Sequence, residues 1–194
     1  MALEVPVTES EVVELRDGTR VTIRPIRADD APRLQALFGR LSQESIYYRF
    51  LELRKELSCE QAKCLADLDH RTQMALVATR GQCGDEAVIG VARYEVIAGS
   101  WPAEAEVAIV VEDRHQGKGL GTLLLERLAT YAVAHGIRTF QASVRHDNAR
   151  VMRLIRRSGL PTESTVETGV LALRVGLDWE PVREPMARRV LEER

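Results

Sequence analysis

The 194-residue sequence is sparing with the residues that build disulfide frameworks, metal centres and aromatic surfaces: three cysteines, four histidines and 5% aromatics. Cys59 and Cys64 lie five apart in a helical pattern, and Cys83 sits in the turn-like "GQCGD". There is no Cys-x-x-Cys pair and no Cys/His cluster at ligand spacing, so the expectation is three reduced thiols and no bound metal. His70, His115, His135 and His146 are scattered and read as surface or hydrogen-bonding side chains. Only His70 and His146 are kept as groups that a substrate could approach.

An excess of one charge is missing too. The 27 Lys/Arg and 29 Asp/Glu residues are interspersed, for a formal net charge of −2. The basic footprint of a nucleic-acid binder is therefore absent. Apolar runs such as "VAIVV" are far too short to span a bilayer. The first residues, "MALEVPVTESEVVEL", are acidic and lack the apolar centre of a signal peptide. What is present, 45% hydrophobic and 29% charged residues, is ordinary for a globular domain with room for a sizeable core. The expectation is a soluble cytoplasmic protein of one domain, with neither a nucleic acid nor a membrane as partner.

Residues 1–19 read as a lightly ordered lead-in. "RVTIRPIR" alternates Val21, Ile23 and Ile26 in a strand that Pro25 must end or place at an edge. "DDAPRLQALFGRL" opens with acidic caps and carries Leu34, Leu37, Phe38 and Leu41 at helical spacing. "SQESIYYRFL" reads as a second helix capped by Ser42, and Ser58 with Gln61 forms a capping box that opens "SCEQAKCLADL". Three β-rich runs follow, "QMALVATR", "AVIGVARYEVI" and "AEVAIVVE", whose short connections favour antiparallel neighbours. Beyond a glycine-rich segment, Leu120, Leu123, Leu124, Leu128 and Ala132 mark the apolar face of a helix closed by Gly136. "RTFQASV" is a further strand, and "NARVMRLIRRSG" a helix capped by Asp147 or Asn148 and ended by Gly159. "STVET" and "VLALRVGL" form a closing strand pair with Gly169 in the turn, and residues 178–194 read as an arm. This order describes one α/β (α+β) domain with a mixed, mostly antiparallel sheet flanked by helices.

The segment that asks for chemistry is "QGKGLG", Gln116 to Gly121. It stands between a strand and a leucine-rich helix, where backbone N–H groups lack intrahelical partners and face the positive end of the helix dipole. Glycines let such donors converge and let phosphate oxygens approach without meeting a Cβ. The spacing fits neither the dinucleotide fingerprint G-x-G-x-x-G nor the nucleoside-triphosphate loop G-x-x-x-x-G-K-[ST]. Taken alone it leaves a phosphate cradle and a structural turn both open. Lys118 adds a positive charge or points to solvent.

The run "EVAIVVEDRHQGKGLGTLLLERL" resembles the acyl-CoA-binding signature of the GNAT N-acetyltransferase superfamily, [Q/R]-x-x-G-x-[G/A], matched by Gln116, Gly119 and Gly121. The register Arg114–Gly117–Gly119 also satisfies the pattern; the first is preferred because it puts Gly121 at the helix start. "RHDNARVMRLIRRSGL" resembles the second cofactor segment of that superfamily. The resemblance covers about residues 20–177, read as the transferase domain. It implies acetyl-CoA as the acyl donor, its diphosphate on Gln116, Gly117, Lys118, Gly119, Leu120, Gly121 and Thr122. It also implies pantetheine contacts from the main chain of Ile109, Val110 and Val111 and from Asn148. The stretches "TIRPIRADDAPRLQALFGRLSQESIYYRFL", "QMALVAT" and "IGVARY" look like bacterial protein lysine acetyltransferases of the Pat type. That implies a protein acceptor such as an acyl-CoA synthetase. Multidomain members carry regulatory or synthetase-like regions for which this length has no room. A stand-alone enzyme or an excised domain, without cyclic-nucleotide control, is expected.

Acetylating a lysine requires removing a proton from an ammonium of pKa about 10.4, hence a general base and a donor for the thioester oxygen. Glu104 and Glu106 lie two apart in "WPAEAEVAIVV", so one strand face carries both and periodicity cannot separate them. Glu106 is nearer the cofactor-binding amides and matches the glutamate that Pat-type enzymes use. A tyrosine common elsewhere in the superfamily is replaced by Ile155, and the aromatic that usually follows by Leu160, so no general acid is assigned. The arginines of "RHDNARVMRLIRR" read as a solvated helix face. Tyr47, Tyr48 and Phe50 fall where similar proteins line the acceptor cleft, although packing suits at least two of them. Two other readings stay open: acetylation of a small amine, and an acyl-CoA sensor without catalysis.

Overall fold

The computed structural model describes residues 10–81, 85–100, 103–167 and 169–177. Cys83 and the arm read over 178–194 lie outside the described residues. One eight-stranded sheet, in the order β1-β2-β3-β4-β5-β6-β8-β7, organises the chain. Its strands are β1 (Glu11–Glu14), β2 (Arg20–Pro25), β3 (Gln73–Arg80), β4 (Ala87–Val96), β5 (Ala103–Val111), β6 (Ile137–Arg145), β7 (Thr162–Glu167) and β8 (Val170–Gly176). The helices are α1 (Ala31–Phe38), α2 (Gln43–Phe50), α3 (Cys59–Ala66), α4 (Leu120–Ala134) and α5 (Ala149–Ser158). Every neighbouring pair is antiparallel except β5 and β6, which run parallel because α4 crosses between them.

Alternation along β3 separates two cores. Met74, Leu76 and Ala78 face α4 together with Ile89, Tyr94 and Ala105. Ala75 and Val77 face α1, α2 and α3 on the opposite side, with Val88, Val91 and Val110. The leucines expected on the buried face of α4 are there: Leu120, Leu123, Leu124 and Leu128 are all buried. Ser42 caps α2 by accepting from Ser45 N–H, and Ser58 with Gln61 makes the expected capping box on α3. Pro25, which has no N–H to give a ladder, ends β2.

Two local expectations change. A strand, β1, forms within the stretch read as a lead-in. It pairs with β2 through a turn in which Gly18 takes φ +79°, and Arg127 of α4 clamps Glu11 through two hydrogen bonds of 3.0 Å. Asp30 does not cap α1 with its side chain. Its carboxylate instead accepts from Arg24 Nη1 and Nη2 at 2.7 and 2.8 Å and from Arg27 N–H at 3.0 Å. A buried guanidinium needs that partner more than a helix end, which water can satisfy, needs a cap.

Candidate active site

The parallel pairing of β5 with β6 is short. It runs from Ala103↔Ile137 to Glu106↔Gln141 and then stops, although β5 continues to Val111 and β6 to Arg145. Beyond Glu106 the two strands part, and the β5 backbone groups that face β6 have no sheet partner among the described residues. Ladder groups at mid-sheet rarely go unpaired without a ligand or water to receive them. One of them is claimed from within the chain: Val111 O accepts from Gln116 Nε2 at 2.9 Å.

The glycine segment closes the wide end of this cleft. Gly117 and Gly119 take φ of +76° and +91°, which bends the chain from a short 3₁₀ turn at 113–115 into α4. Gly119 is the N-cap of α4 and provides no side-chain cap, so the first amides of the helix stay open at its positive end. A Cβ on Gly121 would stand 3.6–3.8 Å from side-chain atoms of Ile109, Leu154 and Val111. The loop therefore seats directly on β5 and α5. Ile109 and Val111 pack toward α4 and Val110 toward α1–α3, so the main chain is what these residues present to the cleft. Asn148, buried at the start of α5, accepts from Val151 N–H through Oδ1 at 3.2 Å, which leaves its amide nitrogen as the side chain's donor.

Polar side chains that local patterns do not announce hold the loop in place. Asp113 accepts from Ser42 N–H at 2.9 Å, Ser42 Oγ at 2.7 Å and Ser45 Oγ at 2.8 Å. Burial works against the Asp113 charge, yet these donors hold its pKa below the ordinary value. Gln116 Nε2 also donates to Ser45 Oγ, at 3.1 Å, so the glycine loop and the start of α2 form one hydrogen-bonded unit. Beside it, buried Glu112 takes Arg114 at 2.6 Å and Arg40 at 3.2 Å. His115 is 2% exposed, and burial lowers its pKa. Lys118 does not stand over the loop as an open charge, because its Nζ pairs with Asp17 Oδ2 at 2.7 Å.

At the narrow end, the two candidate carboxylates separate clearly. Glu104 is gripped by Arg174 through hydrogen bonds of 2.6 and 2.8 Å and by Gln141 Nε2. The Arg174 hydrogen bond, followed by that of Gln141, lowers the Glu104 pKa. Glu106 is exposed and bonds to no described residue; it lines an open groove of about 340 Å³ with Gln141, Ser143, Glu163, Thr165 and Arg174. Two cations on the same side of the sheet feel its charge, Arg49 of α2 and Arg93 of β4. Desolvation, with the like charge of Arg93, brings the Arg49 pKa down to about 10, so it stays protonated near neutrality. Of the aromatics, Phe50 packs against Phe38 at 6.0 Å between centroids, while Tyr47 takes Arg145 Nη1 at 3.4 Å near the end of β6. His70 lies away from the cleft, where its backbone carbonyl accepts from Tyr131. Among the described residues no helix is long and apolar enough to cross a membrane.

Known proteins share this fold. Residues 20–161 match the acetyltransferase (GNAT) domain family. The GNAT domain of the S. lividans PAT superposes with a TM-score of 0.79 at 36% identity, covering 89% of this chain and 99% of that one. An acetyltransferase of Pseudomonas aeruginosa is 34% identical over 127 residues, 66% of this chain and 67% of that protein. The acetyltransferase Pat of Mycolicibacterium smegmatis is 32% identical over 147 residues; the match takes in 76% of this chain and 43% of Pat. The parted strands, the glycine loop ahead of α4 and the family match agree: this chain belongs to the GNAT family and is an acetyltransferase.

Proposed function

We propose that the chain transfers the acetyl group of acetyl-CoA to the ε-amine of a protein lysine, with Glu106 as the general base. Acetyl-CoA is the donor of the family's reaction; the acceptor and the base are the proposal. The single observation that carries the base is the contrast on β5. Glu104 is committed to Arg174 and Gln141, whereas Glu106 meets the groove with no bond to another described residue.

The donor fits what the chain leaves open. Amides at the start of α4 and on Gly117–Gly121 suit a diphosphate. The β5 edge over Val107–Val111, which apart from Val111 O has no sheet partner on the β6 side among the described residues, and the Asn148 amide suit the pantetheine arm, whose amides need partners of both polarities. The thioester then lies near Glu106, where the carboxylate takes a proton from the incoming ammonium, directly or through one water. The neutral amine attacks the thioester carbonyl, backbone N–H groups of β5 stabilise the oxyanion, and the coenzyme A thiolate departs. No tyrosine occupies the position of Ile155, so the departing thiolate is protonated through water, which carries it the second proton that the attacking nitrogen sheds as the amide forms.

Likeness to the Pat proteins supports a protein acceptor, such as an acyl-CoA synthetase. An open groove also suits a lysine on a folded surface better than a closed pocket would. Cys59 and Cys64 are free thiols, which suits a reducing cytoplasm. Release of coenzyme A thiol, measured with acetyl-CoA and a lysine-bearing protein, a small amine or no acceptor, tests the reading. Release driven by the protein acceptor supports it. Release driven only by the small amine transfers the assignment to small-molecule acetylation, and tight binding without release makes the chain a sensor.

A further inference from the structure

We infer that Arg16, delivered by the β1–β2 hairpin, is a phosphate-binding residue for acetyl-CoA. This rests on the reading of the glycine loop as the phosphate cradle. The hairpin is docked on that loop from two sides. Arg16 N–H donates to Lys118 O at 3.4 Å, and Asp17 Oδ2 pairs with Lys118 Nζ at 2.7 Å. Farther along, the Glu11–Arg127 clamp fixes β1 to α4. Between these ties the Arg16 side chain lies across Gly119: a Cβ on that glycine would stand 3.6 Å from Nε and 3.9 Å from Cγ.

The charge balance around the loop singles out Arg16. The motif's own cation, Lys118, is neutralised by Asp17. The two acidic residues that flank Arg16 in sequence are both occupied, Glu14 by Arg20 at 3.7 Å and Asp17 by Lys118. Arg16 is exposed and forms no ion pair with a described residue. An open guanidinium thus sits beside open helix-terminal amides, next to where a substrate with a diphosphate and a 3′-phosphate would dock. A guanidinium presents paired donors that match phosphate oxygens.

Isothermal calorimetry on the intact protein with coenzyme A, dephospho-coenzyme A and pantetheine tests this. Arg16→Ala should weaken coenzyme A about 3- to 10-fold and leave pantetheine binding as in the unmodified protein, while Arg16→Lys should recover part of the loss. A loss confined to coenzyme A assigns the contact to the 3′-phosphate; an equal loss with dephospho-coenzyme A assigns it to the diphosphate. Unchanged coenzyme A binding in Arg16→Ala overturns the proposal, as does an equal loss with pantetheine, which would mark Arg16 as a structural residue. If the unmodified protein binds no coenzyme A, the cradle reading fails first and takes this inference with it.

Discussion

Glu104 and Glu106 share one face of β5, and Arg174 separates their roles by gripping Glu104 with two hydrogen bonds of 2.6 and 2.8 Å while leaving Glu106 open. Glu106→Gln should therefore lower kcat by about 10²–10⁴-fold with little change in the KM for acetyl-CoA. Glu104→Gln should cost less than about tenfold, because it loosens a strand contact and removes no base. Steady-state rates of both variants across pH check this. A larger loss in Glu104→Gln than in Glu106→Gln reverses the assignment.

The two later glycines of the loop should respond differently to the same methyl group. Gly119 has φ +91°, where an L side chain is strained by about 1–3 kcal/mol. Gly121 has ordinary backbone angles, and its Cβ would find only normal contacts at 3.6–3.8 Å. Gly119→Ala should raise the KM for acetyl-CoA several-fold, whereas Gly121→Ala should leave it close to unchanged. Donor titrations at saturating acceptor make the comparison.

Asp113 joins the glycine loop to α2, so its loss should be felt in both places. Asp113→Ala removes the acceptor for three donors and should cost about 1–3 kcal/mol of stability. It should also raise the KM for acetyl-CoA. Chemical denaturation together with donor titration checks both effects, and Asp113→Asn should fall between.

Asp30 should contribute to acid sensitivity. Burial alone would raise its pKa, but hydrogen bonds from Arg24 and Arg27 N–H hold it below the ordinary value. The native pKa thus lies below the unfolded one. Its stabilisation is fully present above the unfolded carboxylate value of about 3.9 and is lost as pH falls through the native value. Asp30→Ala, which strands a guanidinium only 4% exposed, should cost about 3–5 kcal/mol near neutrality. The variant should also show a flatter stability profile below about pH 4. Urea midpoints between pH 3 and 7 measure both.

Much of this fold is local and was therefore legible. Ser42, Ser58 and Gln61 cap helices through bonds three residues long, and the leucines of α4 repeat at helical spacing, so the elements follow from neighbours in sequence. The site divides differently. Gly117–Gly121 could be recognised because its conformation needs only glycines. The choice between Glu104 and Glu106 could not be made from period-two alternation, because it depends on Arg174, 70 residues away. The Asp113–Ser42 tie spans 71 positions and the Glu11–Arg127 clamp 116. The clamp is what makes β1 a strand, because four residues with two glutamates carry no strand pattern of their own. The pairing of Lys118 with Asp17 spans about a hundred positions and is equally invisible to local pattern.

Mapping acetyl-lysine by mass spectrometry on a protein acceptor, incubated with acetyl-CoA and either the unmodified chain or Glu106→Gln, tests the central claim most directly. Discrete acetylated lysines with the unmodified chain, lost with Glu106→Gln while acetyl-CoA still binds, are the predicted result. Equal acetylation by both proteins, or none by either alongside acetylation of a small amine, would contradict it.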